Sequence, residues 1–179
     1  MKTQILAFGA SNSRQSINKQ LAQFAAEQIP NIDLDLADLN DFELPIFSVD
    51  LEKKAGIPEA AYRFRDKIEL ANGIVISLAE HNGSFSAAYK NLFDWMSRID
   101  ANVWMNKPLL LLATSPGARG GKGVLEHAKK LYSFRRELPV PTFSLPKFNT
   151  NFEEGTIKDE QLYTALMTSV KQFIAQLTP

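Results

Sequence analysis

Gly73-Ile74-Val75-Ile76-Ser77-Leu78 is followed directly by Ala79-Glu80-His81-Asn82-Gly83-Ser84. The first six residues are apolar on both alternating faces apart from Ser77, the reading of a strand buried on both sides. The Asn-Gly pair then breaks the run, and residues 86–99 resume with helical spacing. Residues 108–113, Pro-Leu-Leu-Leu-Leu-Ala, repeat the buried-strand pattern, and the Gly-rich stretch 114–122 leads into a helix expected over 123–136. Upstream, a strand over 3–9 passes through 10–15 into a helix over 16–28, with Ile17, Leu21, Phe24 and Ala25 on one face. Apolar runs alternating with amphipathic stretches predict a parallel sheet with helices on both faces.

The remaining elements are weaker. Leu34, Leu36 and Leu39 alternate with Asp33, Asp35 and Asp38, as in a short strand near a sheet edge. Residues 40–56 are expected to form a long loop around Pro45-Ile46-Phe47, and a loop of that length in a compact domain is more often functional than idle. Pro58 suits the first turn of a helix running to Leu70. Prolines at 139, 141 and 146 allow only a short fifth strand between them. A last helix over 158–177 carries Leu162, Leu166, Val170, Phe173, Ile174 and Leu177 on one stripe, making five strands and five helices.

The chain has 179 residues, a length that fits one domain over 1–179. Twenty basic residues balance twenty acidic ones, so the long-range positive field that nucleic-acid binding uses is missing and nothing promotes a membrane surface. No apolar run approaches the ~20 residues of a membrane span, and the run at residues 5–8 is too short for a signal-peptide core. The chain is therefore expected to begin directly with structure. The absence of cysteine fits a reducing compartment, and a cytoplasmic location is expected.

In open parallel sheets ligands sit beyond the carboxyl ends of the strands, where the strand order reverses. The stretches 10–15, 79–85 and 114–122 would meet there, all rich in Ser, Asn or Gly. Ser11, Ser13 and Ser16 precede a helix whose unpaired N–H groups favour a phosphate, and Arg14 adds a cation worth about 1.5–3 kcal/mol in a charge-assisted bond. Against this stands the plainer reading that Ser16 only caps the helix. The common nucleotide and hydrolase signatures are absent: Gly9 stands alone where G-x-G-x-x-G would begin, Gly120-Gly121-Lys122-Gly123 lacks the hydroxyl that completes a Walker loop, and no glycine follows Ser11 at two places.

Three motifs in order resemble the NADPH-dependent FMN reductase family, which also contains quinone, azo-dye and chromate reductases. The family's G-S-x-R-x-x-S-x-N is matched in its serines and asparagine by Ala10-Ser11-Asn12-Ser13-Arg14-Gln15-Ser16-Ile17-Asn18. Its P-E-Y-N-G-S followed by K-N-x-x-D-W is matched by residues 79–84 and by Lys90-Asn91-Leu92-Phe93-Asp94-Trp95, the most specific of the three. Ser115-Pro116-Gly117-Ala118-Arg119-Gly120-Gly121 is a looser third match. The chain departs from the family at Ser13, where the arginine stands, with Arg14 one place later, and at His81 and Ala79 in place of tyrosine and proline.

The resemblance implies a flavodoxin-like three-layer sandwich with a five-stranded parallel sheet of order 2-1-3-4-5. It implies that Ser11, Ser13, Ser16, Ile17 and Asn18 hold the phosphate of FMN, that Glu80, His81, Asn82, Gly83 and Ser84 line the isoalloxazine ring, and that Ser115, Pro116 and Gly117 close its other side with Phe47 nearby. The implied activity is reduction of FMN by NADPH or NADH, then of a small acceptor such as a quinone, an azo compound or a metal oxyanion. The flavin accepts the hydride, so no catalytic side chain and no metal are required. His81 reads more readily as a solvated loop residue than as an acid–base group, and His127 as a structural or exposed helix residue. Trp95, Met96, Trp104 and Met105 supply enough apolar surface to suggest a homodimer or homotetramer interface. The alternatives are a flavodoxin-type electron carrier, which would carry a strong acidic charge that this chain lacks, and a flavin-free binding module on the same fold.

Overall fold

The computed structural model describes residues 2–134 and 137–177. Strand β1 (Thr3–Ala10) leads into helix α1 (Ile17–Glu27), and β2 (Ile32–Ala37) ends in a 3-10 turn at Leu39–Asp41. Helices α2 (Val49–Ala55) and α3 (Glu59–Leu70) follow, then β3 (Gly73–Leu78), the two-residue strands β4 (Glu80–His81) and β5 (Ser84–Phe85), and helix α4 (Ala87–Ile99). Strand β6 (Leu109–Thr114), helix α5 (Lys122–Ser133) and strand β7 (Thr142–Leu145) complete the main sheet. A short helix α6 (Phe148–Asn151), a second small hairpin of β8 (Phe152–Glu153) and β9 (Thr156–Ile157), and helix α7 (Glu160–Ile174) end the described chain.

The five long strands pair in parallel in the order β2-β1-β3-β6-β7, the expected flavodoxin-like order. Alternation along the strands divides the interior into two cores. Ile5, Ala7, Val75, Leu110 and Leu112 face Leu21, Ala25, Leu166, Val170 and Phe173 of α1 and α7. Leu6, Phe8, Ile74, Ile76 and Leu111 face Phe64, Ile68, Tyr89, Leu92 and Val124 of α3, α4 and α5. Both faces of β3 and β6 are therefore buried, which is why their sequences are unbroken apolar runs.

Several expectations need correction. The stretch read as a loop over 40–56 holds helix α2, capped by Ser48, whose Oγ accepts the Leu51 N–H at 3.1 Å. The signal was present locally, with Asp50 and Glu52 in its first turn and Lys53 and Lys54 in its last. Leu39 belongs to the 3-10 turn rather than to the second strand, because Asp38 turns the chain by accepting the Asn40 N–H. Pro58 is the N-cap of α3 rather than its first helical residue. The end predicted for the fourth helix, at Arg136, lies outside the described residues. Trp95, Met96 and Trp104 are buried inside the chain, and Met105 packs against them, so their apolar surface is covered by the protein's own core and does not argue for an interface.

Candidate functional site

The carboxyl ends of β1, β3 and β6 open onto the mouth of α1. Gly9 lets the helix approach, since a Cβ there would lie 2.4 Å from the Lys19 backbone nitrogen. Ser16 caps α1, its Oγ accepting the Lys19 N–H at 3.1 Å, while the Gln20 N–H goes to the Ser16 carbonyl. The N–H groups of Ile17 and Asn18 project from the helix end, where the dipole favours an anion. Ahead of the cap, Ser11 Oγ accepts the Ser13 N–H and the Ser13 carbonyl accepts the Ser16 N–H, folding residues 11–16 into a compact turn. Capping leaves Ser16 chemically free to donate to an anion, because the cap uses its oxygen as acceptor and leaves the hydroxyl proton.

Asn18 lines this mouth, but its amide is engaged with the scaffold. Its Oδ1 accepts from Ser77 Oγ at 2.7 Å and from the Thr114 N–H at 3.1 Å, and its Nδ2 donates to the Thr114 carbonyl at 3.2 Å. Thr114 in turn donates through Oγ1 to the Leu145 carbonyl at 2.7 Å. The third loop is held from behind by N–H groups of Lys147 to the Gly117 carbonyl and of Phe148 to the Ser115 carbonyl. Neither Lys147 nor Phe148 carried a sequence signal for the site.

Residues 79–85, read from sequence as a loop, form a tight hairpin in which Glu80 pairs with Phe85 and His81 with Ser84. Asn82 and Gly83 both take positive φ, 52° and 78°, as the two-residue turn that suits paired strands requires. The Glu80 carboxylate is directed toward the first turn of α5, with Oε1 2.7 Å from the point where a Cβ on Gly123 would stand. That places its charge at a helix N-terminus, a favourable position. His81 is exposed at the hairpin tip. Under the hairpin, Phe85 packs on Tyr89, whose hydroxyl meets that of Tyr132 at 2.5 Å, and burial pushes the pKa of both phenols up.

A cleft of about 200 Å³ joins the three loops: Ser11, Ser13, Ser16, Ile17 and Asn18 on one side, Glu80 and His81 on another, and Ser115 and Pro116 on the third. Nine of the residues expected at the site thus share one cavity. Arg14, Asn82, Gly83, Ser84 and Gly117 flank it on the same loops, exposed and outside its walls. Phe47 does not line it; its ring packs edge-on against Trp95 at 5.0 Å between centroids.

A second hollow, about 510 Å³, adjoins it between the first turn of α4 and residues 39–46, and Asn12 of the first loop forms part of its wall. Asn91 holds this long segment in place, Oδ1 accepting the Phe47 N–H at 2.8 Å and Nδ2 donating to the carbonyls of Leu44 and Pro45. The K-N-x-x-D-W motif is therefore a clamp on the long segment, a role that its match to the family motif does not announce. Lys19 on α1 pairs with Asp38 at 2.7 Å; burial opposes ionisation there, but Lys19 and Asn40 outweigh it and hold the Asp38 carboxyl below its usual range.

The sequence profile described as NADPH-dependent FMN reductase matches residues 3–150. A 2-hydroxy-1,4-benzoquinone reductase of a Burkholderia species is 30% identical over 183 residues, covering 98% of this chain and 96% of its own. An NADPH:quinone oxidoreductase of Arabidopsis thaliana is 33% identical over 142 residues, covering 75% of this chain and 69% of its own. Among solved structures, a flavoenzyme NAD(P)H:(acceptor) oxidoreductase of Paracoccus denitrificans superposes with a TM-score of 0.75 at 24% identity, over 99% of this chain and 97% of that one. The apo form of an NADH:FMN oxidoreductase gives a TM-score of 0.74 at 16% identity, over 99% and 91%.

Proposed function

The chain belongs to the NADPH-dependent FMN reductase family, and on that premise we propose that FMN lies across the carboxyl ends of β1, β3 and β6 with its phosphate at the mouth of α1. The protein is an NAD(P)H-dependent flavin oxidoreductase whose acceptors are quinones or azo compounds. The whole of residues 1–179 is taken as one FMN-binding domain, cytoplasmic, working as a homodimer or homotetramer.

The single observation that carries the placement is the shared cleft, which gathers hydroxyls and helix N–H groups from loops far apart in sequence. The donor set fits a phosphate: Ser11 and Ser16 are 8% and 7% exposed at its wall. The one acidic residue lining it, Glu80, turns its carboxylate toward α5. In this reading Ser11, Ser13, Ser16 and the N–H groups of Ile17 and Asn18 bind the phosphate, and exposed Arg14 adds positive charge at the rim. Backbone N–H groups of the Asn82-Gly83-Ser84 turn, with Glu80 and His81 beside them, would hold the flavin ring. Ser115 and Pro116 form the opposing wall with Gly117 at its rim, braced by Lys147 and Phe148, and Phe47 supports the long segment from behind.

Bound FMN supplies the hydride-accepting and electron-donating chemistry. The chain's own contribution is position: the cap and the Gly9 contact would hold the anion end, and the hairpin's fixed N–H dipoles would favour negative charge beside them.

The test is a spectrum and an assay. The protein as isolated, or after addition of FMN, should show flavin absorbance and oxidise NADPH or NADH steadily with a quinone acceptor. An apoprotein that ignores FMN in titration ends the reading, and flavin binding without nicotinamide oxidation makes the protein a carrier.

A further inference from the structure

We infer that the Asn18 side chain positions the phosphate cradle and is not itself a ligand of the phosphate, an inference that rests on the flavin site proposed above. The family motif places an asparagine at this point, and its side chain here has little left to offer an anion. Both acceptor directions of Oδ1 are filled, by Ser77 Oγ and by the Thr114 N–H, and one N–H of Nδ2 is committed to the Thr114 carbonyl. All three bonds are buried.

What these bonds join gives the residue its role. Asn18 is in the first turn of α1, Ser77 is on β3 and Thr114 ends β6, one residue before Ser115 in the opposing wall of the cleft. The contact of α1 with β1 at Gly9 is a close approach, and the apolar attraction beneath the helix is not directional. The Asn18 amide supplies the direction. It fixes where the N–H groups at the helix mouth stand relative to the strand ends, so the donors of the phosphate end are aimed by one side chain. Anion binding at a helix terminus depends on several donors converging on one point, and that convergence disappears when the helix shifts.

Ser77 makes the role separable from direct contact. It is fully buried on β3, contributes nothing to the cleft wall, and its hydroxyl donates to Asn18 Oδ1. Removing its hydroxyl therefore disturbs the strut without deleting any cleft-lining atom.

The experiment measures the dissociation constants of FMN and of riboflavin, which lacks the phosphate, by quenching of flavin fluorescence. The proteins are the wild type, Ser77→Ala, Asn18→Ala and the double variant. Ser77→Ala should weaken FMN about tenfold, the loss of one buried hydrogen bond, while changing riboflavin by less than about twofold. The double variant should bind FMN no more weakly than Asn18→Ala, since both substitutions break one connection. A wild-type preference for FMN over riboflavin that survives intact in Ser77→Ala overturns the inference, whatever Asn18→Ala does, and leaves the flavin site standing. Equal losses for both flavins in Ser77→Ala overturn it too, as they report general loosening. If Asn18→Ala does not fold, Ser77→Ala decides alone. A wild type that binds neither flavin removes the site and the inference together.

Discussion

The indole Nε1 of Trp95 donates to the carbonyl of Pro45 at 2.7 Å, across fifty residues of sequence, and with Asn91 it fastens the long segment to α4. Three carbonyl and N–H groups of residues 44–47 thereby find partners that no secondary structure offers them. Asn91→Ala should destabilise the fold by about 1–3 kcal/mol in denaturant titrations, because these groups lose their partners. Trp95→Phe, which keeps the ring packing against Phe47, should cost less. Amide hydrogen exchange at Phe47 is the local readout: exchange as slow in Asn91→Ala as in the wild type would show that the clamp does not hold the segment.

Ser16 separates capping from phosphate binding. Aspartate caps helices as well as serine does, so Ser16→Asp should keep the melting temperature close to that of the wild type while placing a negative charge against the phosphate. Ser16→Ala should lose about 1 kcal/mol of stability and bind FMN less weakly than Ser16→Asp does. At Ser13, Ser13→Asp should likewise weaken FMN more than Ser13→Ala. Equal FMN affinities for the Asp and Ala variants at both positions would remove the anion from the mouth of α1.

Gly9 is where α1 meets β1 most closely. A methyl group there would press on the Lys19 nitrogen at 2.4 Å and on the Asn18 carbonyl carbon at 2.9 Å, both backbone atoms that cannot move without the helix. Gly9→Ala should cost about 1–3 kcal/mol in stability and lower FMN affinity in parallel, because the helix is pushed away from the strand ends it completes. Wild-type stability in this variant would mean that α1 has room the structure does not show.

The buried pair Tyr89 and Tyr132 predicts an alkaline limit. Both phenols have pKa values raised by burial above the ordinary 10, so each folded side chain holds its proton more tightly than the unfolded chain does. Their contribution to stability is complete below about pH 10 and is lost as pH rises through the folded values. The double variant Tyr89→Phe with Tyr132→Phe should unfold at higher pH than the wild type, while Tyr132→Phe alone strands one buried hydroxyl and should cost about 1–3 kcal/mol at neutral pH. A double variant with an unchanged alkaline midpoint would contradict this.

Asp38 sets the opposite limit. Its carboxyl is held below the ordinary range, so the stability it contributes is present above about pH 4 and disappears as pH falls through the folded value. Acid unfolding followed by circular dichroism should be shallower in Asp38→Asn than in the wild type; identical profiles would show that the Lys19 pair does not act on stability.

The strands, their burial and the positions of the ligand-facing loops were legible because the information is local. An apolar run of six residues bounded by turn signals, as at 73–78 or 109–114, reads as a strand covered on both faces, and Ser16, Ser48 and Ser86 cap helices through bonds that close within three residues. The helix at Val49–Ala55 carries the same local signals yet reads as loop, because its side chains contribute nothing to the core and show no apolar stripe. The hairpin was readable only as an Asn-Gly turn, since two-residue strands are too short for alternation to show.

Local pattern thus settled the layering of the chain and where its loops would gather, since periodicity, caps and turns act over a few residues. Folding in three dimensions settled which polar groups remain available to a ligand. Asn18 and Thr114 are ninety-six residues apart, Asn91 and Phe47 forty-four, and nothing near any of them in the chain records the partner. A hydrogen bond consumes a donor and an acceptor wherever the strand order brings them together, so an asparagine that reads as a ligand becomes a strut once β6 lies beside β3.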